Sequence, residues 1–142
     1  MDDVKRVGAA HVVADLGELL DLVRTTVREE NWSELRPSHF RLLSALPVPG
    51  LSITELAERL GMTKQGCGQL VTALADSGHV VASADPVDRR VRVVRRTAQG
   101  DETVHGFEDR VARMEQSWSD RVGARRYGTF RRVMAELARP VD

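Results

Sequence analysis

Polar side chains on one face of a short predicted helix have the chemistry to bind DNA bases and phosphates. An inward stripe on this helix leaves the polar residues Thr63, Lys64, Gln65, Gln69 and Thr72 facing outwards. A glutamine amide can form two hydrogen bonds with adenine, and a lysine can bind guanine or a phosphate. We therefore expect Gln65 and Gln69 to contact bases, Lys64 to contact the DNA backbone, and Thr63 to cap the helix and donate to phosphate. Solvation at the surface is the alternative for each residue.

The elements before this helix predict a helix-turn-helix. Ser52 and Glu55 have the spacing of a capping box, and Leu56, Ala57 and Leu60 follow with helical periodicity. Gly61 stands where a helix end favours a positive φ. Two short helices joined by a tight glycine turn are typical of DNA-binding motifs. An ordinary helical hairpin within a core is the alternative interpretation.

A basic hairpin is predicted after Gly78. The valine-rich stretch 79–83 and the alternating stretch 90–96 flank a turn formed by residues 85–88. Residues 85–96 contain five arginines and two aspartates, a local charge of +3. Two adjacent arginines at a turn tip favour DNA contact over a purely solvated hairpin, whereas solvation is most plausible for Arg92 and Arg95.

These segments resemble the winged helix-turn-helix of the MarR (multiple-antibiotic-resistance regulator) family. The matching residues are LAERLGMTKQ (56–65), LV (70–71), the glycine at 78, DPVDRR (85–90) and TxxG (97–100). The resemblance implies a mainly α fold with a small β-hairpin wing (α+β), flanked by N- and C-terminal dimerisation helices. It also implies that Arg90 enters the minor groove, where narrow A·T-rich DNA concentrates negative potential. Asp88 would orient Arg90 or a neighbour, and Arg89 would contact phosphate.

The sequence departs from the family pattern at three places. Gly66 and Gly68 lie within the recognition helix, each costing up to about 1 kcal/mol relative to alanine. Alanines at 73 and 75 replace residues that are commonly charged, and Arg96 occupies a position that is usually apolar. We therefore expect a recognition helix that is soft in the free protein and a specific affinity that is weaker than usual.

Apolar helices flank the winged segment on both sides. The first helix carries Val13, Leu16, Leu20, Val23 and Val27 and fades near Asn31, and Pro37 begins the next. A near-heptad seam follows at Val104, Phe107, Val111, Met114, Trp118 and Val122, and a last helix carries Tyr127, Phe130, Val133, Met134 and Leu137. We expect one domain over 1–142, with dimerisation helices at about 1–34 and 102–142 and a DNA-binding lobe at about 36–100. A two-fold dimer would bind an inverted repeat, and an extension packed back on its own domain is the alternative.

The composition restricts the class of protein. The 142 residues carry a net charge of +0 with a pI of about 6.9, which excludes a generally basic protein that coats nucleic acid. The first 35 residues hold eight acids and four bases and should lie away from phosphate. The chain shows no signal peptide and no stretch of transmembrane length, so a cytoplasmic protein without membrane contact is expected.

Other chemistry is weakly supported. Cys67 lies on the inward stripe, where a free cysteine packs as a small hydrophobe, although a thiol sensor remains an alternative. The four histidines lack metal-ligand spacing, and nothing suggests catalysis or a cofactor, so we expect no enzyme and no metal. By resemblance, a small aromatic or phenolic effector would bind between the dimer helices and the DNA-binding lobe. The candidate contacts are Trp32, His39, Phe40 and Phe107, and packing in the core or at a hinge is the favoured alternative for Trp32 and Phe40.

The expected function is that of a dimeric, sequence-specific transcriptional regulator. It would be a repressor that releases its operator when the effector binds. A winged-helix adaptor that binds proteins and not DNA is the competing class.

Overall fold

The computed structural model describes residues 11–28 and 35–141 and is helical with one small sheet. The helices are α1 (Val12–Val27), α2 (Pro37–Ala45), α3 (Ile53–Leu60), α4 (Lys64–Asp76), α5 (Ala98–Val122) and α6 (Ala124–Leu137). The strands are β1 (Leu51–Ser52), β2 (Val80–Ala84) and β3 (Arg92–Arg96). This confirms the predicted mainly α fold with a β wing.

The chain divides into two compact units. The terminal-helix unit comprises Met1–Arg28 and Asp109–Asp142, and the winged unit comprises Glu29–Glu108. The single helix α5 contributes residues to both units.

Local signals in the sequence fix the helix boundaries of the winged unit. The hydroxyl of Ser52 accepts from the Glu55 N–H at 3.1 Å, and the Glu55 carboxylate accepts from the Ser52 N–H at 3.4 Å, which completes the predicted capping box. Gly61 ends α3 with a φ of 63°. Pro37 is the first residue of α2, as its fixed φ favours.

The core of the winged unit joins α2, α3, α4, the sheet and the start of α5. Its fully buried members are Leu42, Leu43, Leu56, Leu74, Val94 and Cys67. Because apolar residues from every element meet here, burial fixes the packing of the small unit.

The sheet has three strands in the order β1-β3-β2, all antiparallel. In register, Leu51 is opposite Val94 on one side of β3, and Ala82 is opposite Val94 on the other. Strand β1 was not predicted, because two residues are too few to show a periodicity. Val91 precedes β3, and the adjacent residues Val93 and Val94 are both buried, so the burial of the returning strand does not follow the predicted alternation.

The terminal-helix unit is held by a polar cluster between α5 and α6. The Tyr127 hydroxyl donates to Glu115 Oε1 at 2.6 Å, and Arg131 Nε pairs with the same oxygen at 3.0 Å. Burial, and then the bond to Glu115, raises the pKa of Tyr127 to about 12. The Trp118 and Tyr127 rings pack edge to face at 6.5 Å.

Candidate nucleic-acid interface

The recognition helix α4 exposes the predicted polar residues on the side opposite its packed stripe. Thr63 Oγ1 accepts from the Gly66 N–H at 3.0 Å and caps the helix. This bond uses a lone pair, so the Thr63 hydroxyl hydrogen is available for a phosphate. The side chains of Lys64, Gln65 and Gln69 are exposed.

Thr72 is exposed but differs from the other outward residues. Its hydroxyl donates to the Gly68 carbonyl within the same helix at 2.9 Å. A hydroxyl has one hydrogen, so Thr72 can accept from a base in this rotamer but cannot donate to a phosphate.

The wing turn is built by two aspartates. Asp85 Oδ1 accepts from the N–H groups of Val87 at 2.7 Å and Asp88 at 3.2 Å, which closes an Asx turn. Asp88 in turn accepts from Arg90 Nε at 3.1 Å through Oδ1 and from Arg90 Nη2 at 3.3 Å through Oδ2. This two-point bond to Arg90, followed by its backbone N–H, lowers the pKa of Asp88.

Asp88 therefore orients Arg90, as the wing motif implied. The Arg90 side chain is 91% exposed, so its guanidinium is held in place without being shielded from a ligand. Arg89 is also exposed and forms no hydrogen bond or ion pair within residues 11–28 and 35–141.

Most other arginines of the winged unit bind the protein's own acceptors. We call them the engaged arginines: Arg41 donates to the Leu60 carbonyl at 3.0 Å, and Arg59 donates to the Ala45 carbonyl at 3.0 Å. Arg95 donates to the Pro49 carbonyl at 3.1 Å and to Ser83 Oγ at 3.2 Å. Arg96 donates to Asp101 Oδ1 at 2.8 Å and to the Leu43 carbonyl at 2.9 Å. The prediction that Arg95 is merely solvated is wrong, because its guanidinium joins the loop before β1 to strand β2. Arg92 is exposed, with only a long 3.5 Å contact to the Ala82 carbonyl.

Arg96 explains one departure from the family pattern. Its side chain is 17% exposed and bridges the end of α2 to the first turn of α5. A cation at a helix C-terminus and an acid at a helix N-terminus both match the helix dipoles. Arg96 therefore has a structural role in the winged unit.

Cys67 is fully buried on the inward face of the recognition helix α4. It is 0% exposed and packs within the core cluster. Burial raises the pKa of its thiol, which disfavours the reactive thiolate. These observations favour the packing role over the thiol sensor.

Two predicted effector contacts serve the winged unit itself. His39 Nδ1 accepts from the Arg36 N–H at 2.9 Å, and burial, with Arg36 and His79 nearby, lowers the pKa of His39. The Phe40 ring stacks on Phe107 at 4.7 Å. Trp32 lies outside the described residues. Neither His39 nor Phe40 lines either of the two cavities of the terminal-helix unit.

The described cavities lie instead in the terminal-helix unit. One, of about 540 Å³, is lined by Leu22, Thr26, Arg110, Arg113, Met114, Ser117, Trp118 and Arg121. The second, of about 370 Å³, is largely apolar and shares Leu22, Trp118 and Arg121 with the first. Sequence analysis missed this arginine-lined groove, although the spacing of Arg110, Arg113 and Arg121 along α5 beside Trp118 was a detectable signal.

Among residues 11–28 and 35–141, no group of three His, Cys, Asp or Glu side chains could hold a metal ion. Within the same residues, no helix combines the length and the apolar character that crossing a bilayer requires.

Part of the chain matches a family model, and several solved structures share its fold. Residues 33–91 match a model described as the MarR family, whereas curated sequences give no significant match. The transcriptional regulator PcaV from Streptomyces coelicolor is 25% identical over 93% of this chain and 96% of its own, with a TM-score of 0.70. The repressor CouR, known from Rhodococcus jostii, is 24% identical in a structure bound to a 23-mer DNA duplex, over 90% of this chain and 92% of its own, with a TM-score of 0.69.

A DNA complex of MepR from S. aureus shares the fold at lower identity. It is 14% identical over 90% of this chain and 96% of its own, with a TM-score of 0.71. The match to the MarR family model covers the helix-turn-helix and most of the wing, and the solved structures show that the fold is shared over nearly the whole length of the chain.

Proposed function

We propose that this chain is a ligand-responsive, sequence-specific DNA-binding transcriptional regulator. The observation that carries the proposal is the exposed Arg90 held by Asp88 beside a capped helix with an exposed polar face. A guanidinium fixed at a wing tip suits a minor groove, and exposed glutamines suit base edges in a major groove. CouR and MepR, which share the fold, are each recorded bound to DNA.

The DNA-contacting residues in this proposal are those predicted from sequence. Gln65 and Gln69 would contact bases, Arg90 would enter the minor groove, and Thr63, Lys64 and Arg89 would contact phosphates. Thr72 would only accept hydrogen bonds, because its hydrogen is engaged with Gly68. Regulation of transcription by such contacts implies a cytoplasmic site of action.

The terminal helices supply the surface for a homodimer in this proposal. Among the described residues of the terminal-helix unit, Val27 and Met114 are the buried apolar side chains. Exposed apolar side chains on α1, α5 and α6 include Val12 at 67%, Leu20 at 53% and Leu137 at 80%. So much exposed apolar surface on helices is typical of an interface, and a second copy is the occupant that two-fold symmetry favours. Such a dimer would bind an inverted repeat.

The arginine-lined groove is the effector site that the geometry favours. Arg113 and Arg121 form no hydrogen bond or ion pair with other described residues, and Trp118 provides an aromatic wall. Unpaired guanidinium groups beside an aromatic ring suit an aromatic carboxylate. PcaV and CouR are each recorded with a bound ligand, p-coumaroyl-CoA in the case of CouR.

Gel-shift titration of the full chain against its own upstream DNA, at two salt concentrations, tests the DNA-binding function. We expect specific binding whose affinity falls steeply with salt, because phosphate contacts release counterions. Arg90→Ala should weaken binding far more than Arg113→Ala, which removes an arginine from the other unit. Absence of binding at low salt would favour the adaptor class, and equal effects of the two substitutions would refute the wing assignment.

Fluorescence tests the effector site separately. In a Trp32→Phe variant, Trp118 is the remaining tryptophan of the two in the chain. We expect 4-hydroxybenzoate to quench Trp118, and the neutral amide analogue to quench it less. Arg113→Ala should weaken the response to the acid selectively. An equal response to acid and amide contradicts a site built on arginine.

A further inference from the structure

The winged unit has few cations that are free to contact phosphate. The engaged arginines direct their guanidinium groups to carbonyls and carboxylates of the protein itself, and Arg90 is paired with Asp88. Lys64 and Arg89 are both exposed and make no hydrogen bond or ion pair in the described chain. Within α4 and the turn 85–91, Lys64 and Arg89 are the two cations without a partner in the described chain, so phosphate binding by this part of the surface falls mainly on them.

Lys64 contributes little to the fold. It is the first residue of α4, where a positive charge opposes the helix dipole. The end of the helix is already capped by Thr63, so Lys64 is not needed to satisfy it. A cation that is unfavourable for its own helix and has no partner in the described chain points to a role in binding.

The surroundings of the Lys64 amine are open. The residue one turn further along the same face is Gly68, and a Cβ built there would meet no atom within 4 Å. Thus no side chain at that position screens the amine from a reagent or an enzyme.

Lysine differs from arginine in one decisive respect. Its primary amine can be acylated, whereas a guanidinium stays protonated and is a poor nucleophile. The chain has 21 lysines and arginines, of which only Lys5 and Lys64 are lysines. A lysine at the DNA-facing end of α4 therefore provides a site for acyl transfer that the surrounding arginines cannot provide.

We propose that Lys64 is an acylation site whose modification switches off DNA binding. The inference rests on the proposed DNA-binding function. After loss of a proton to solvent, Lys64 Nζ attacks the carbonyl carbon of an acyl phosphate or acyl thioester. An N–C amide bond forms as the C–O or C–S bond breaks, phosphate or thiolate leaves, and the second amine proton passes to the leaving group or to solvent. The side-chain charge changes from +1 to 0, while the cap and the core of α4 are untouched.

The expected effect follows from counterion release. Each lost phosphate contact lowers the slope of log K against log salt by about 0.9, so a two-fold dimer loses about 1.8. If the contribution vanishes at 1 M salt, the affinity at 0.1 M salt should fall about 60-fold.

Acetyl phosphate is the probe that tests this switch. A full-length Lys5→Arg variant, in which Lys64 is the remaining side-chain amine, is treated and its modified peptides are mapped by mass spectrometry. Its DNA affinity is measured before and after treatment at several salt concentrations. The matched control is the Lys5→Arg, Lys64→Arg double variant, whose own affinity is compared before and after the same treatment.

We expect acetylation at Lys64, a fall in affinity of about 60-fold with a shallower salt slope, and no change on treatment of the double variant. Prior binding of the operator duplex should protect Lys64. Failure of Lys64 to react, stoichiometric acetylation without loss of affinity, or an equal loss in the double variant would each overturn the switch while leaving DNA binding intact. If the untreated protein binds no DNA at low salt, the proposed function fails and this inference fails with it.

Discussion

Replacing Gly68 by alanine should stabilise the winged unit. Glycine inside a helix costs about 1 kcal/mol relative to alanine, because the unfolded chain loses more freedom on folding. A Cβ at Gly68 meets no atom within 4 Å, so nothing in the structure opposes the gain. We expect the free energy of unfolding to rise by up to about 1 kcal/mol and the melting temperature by about 4 °C.

Two other glycines calibrate this expectation. A Cβ at Gly66 lies 3.1 Å from Thr63 Oγ1, the atom that caps the helix, so Gly66→Ala should stabilise less than Gly68→Ala. A Cβ at Gly100 would clash with the backbone carbonyl oxygen of His79, so Gly100→Ala should destabilise. The sign of the effect is therefore set by the space at each position.

Urea and thermal unfolding measure the stability series, and hydrogen exchange reports on α4 directly. If α4 is soft in the free protein, Gly68→Ala should slow exchange in α4 and also tighten DNA binding by up to about fivefold for each recognition helix, the equivalent of 1 kcal/mol. Slower exchange with an unchanged affinity would mean that α4 is fully formed before DNA binds. A melting temperature that falls in Gly68→Ala, or that shifts alike in Gly68→Ala and Gly100→Ala, would refute the reasoning.

Three further predictions concern buried groups of the winged unit. Burial lowers the pKa of His79 and of His39, so the unfolded chain binds more protons than the folded protein at mildly acidic pH. The free energy of unfolding should therefore be at its highest above about pH 6.5, the pKa of a free histidine, and should fall as the pH drops below that value. The melting temperature should thus be lower at pH 5.5 than at 7.5, by less in His79→Gln, and a pH-independent value contradicts this. Cys67 should react with a disulfide reagent only as fast as the protein unfolds, and peroxide should leave DNA binding unchanged; loss of binding that Cys67→Ser prevents would support the thiol sensor. Arg96→Leu should lower the free energy of unfolding in urea by about 2 kcal/mol, because two hydrogen bonds are lost. Arg96→Lys should recover part of this loss, and equal stability of the parent and both variants would exclude the bridging role.

The predictions that held were those made from neighbouring residues. The capping box of Ser52, the left-handed Gly61, the Thr63 cap and the pairing of Asp88 with Arg90 are all contacts between residues close in sequence. Their geometry follows from backbone conformation and side-chain length, so a motif predicts them without knowledge of the fold. The roles assigned to the DNA-contacting side chains remain predictions.

The contacts that the sequence did not predict are those between partners distant in sequence. Arg95 bonds to a carbonyl 46 residues away, and Arg96 bonds to one 53 residues away. Whether such an arginine is solvated or engaged is decided by which carbonyls the fold brings within reach. Strand β1 was not predicted for a similar reason, because its two residues form a strand only through their pairing with β3, which is distant in sequence.

By itself, the sequence determined the order of helices, the turns and caps of the helix-turn-helix, and the charged wing, because short-range hydrogen bonding and apolar periodicity specify them. Only the tertiary structure decided which cations remain free for a ligand and where a cavity forms. In the folded protein, most arginines of the winged unit bind carbonyls or carboxylates of the chain itself, and His39 and Phe40 make contacts within that unit. An arginine-lined groove lies between α1 and α5. Whether a cation is free and whether a groove forms both depend on how segments distant in sequence pack together. The spacing of residues along the chain does not specify that packing.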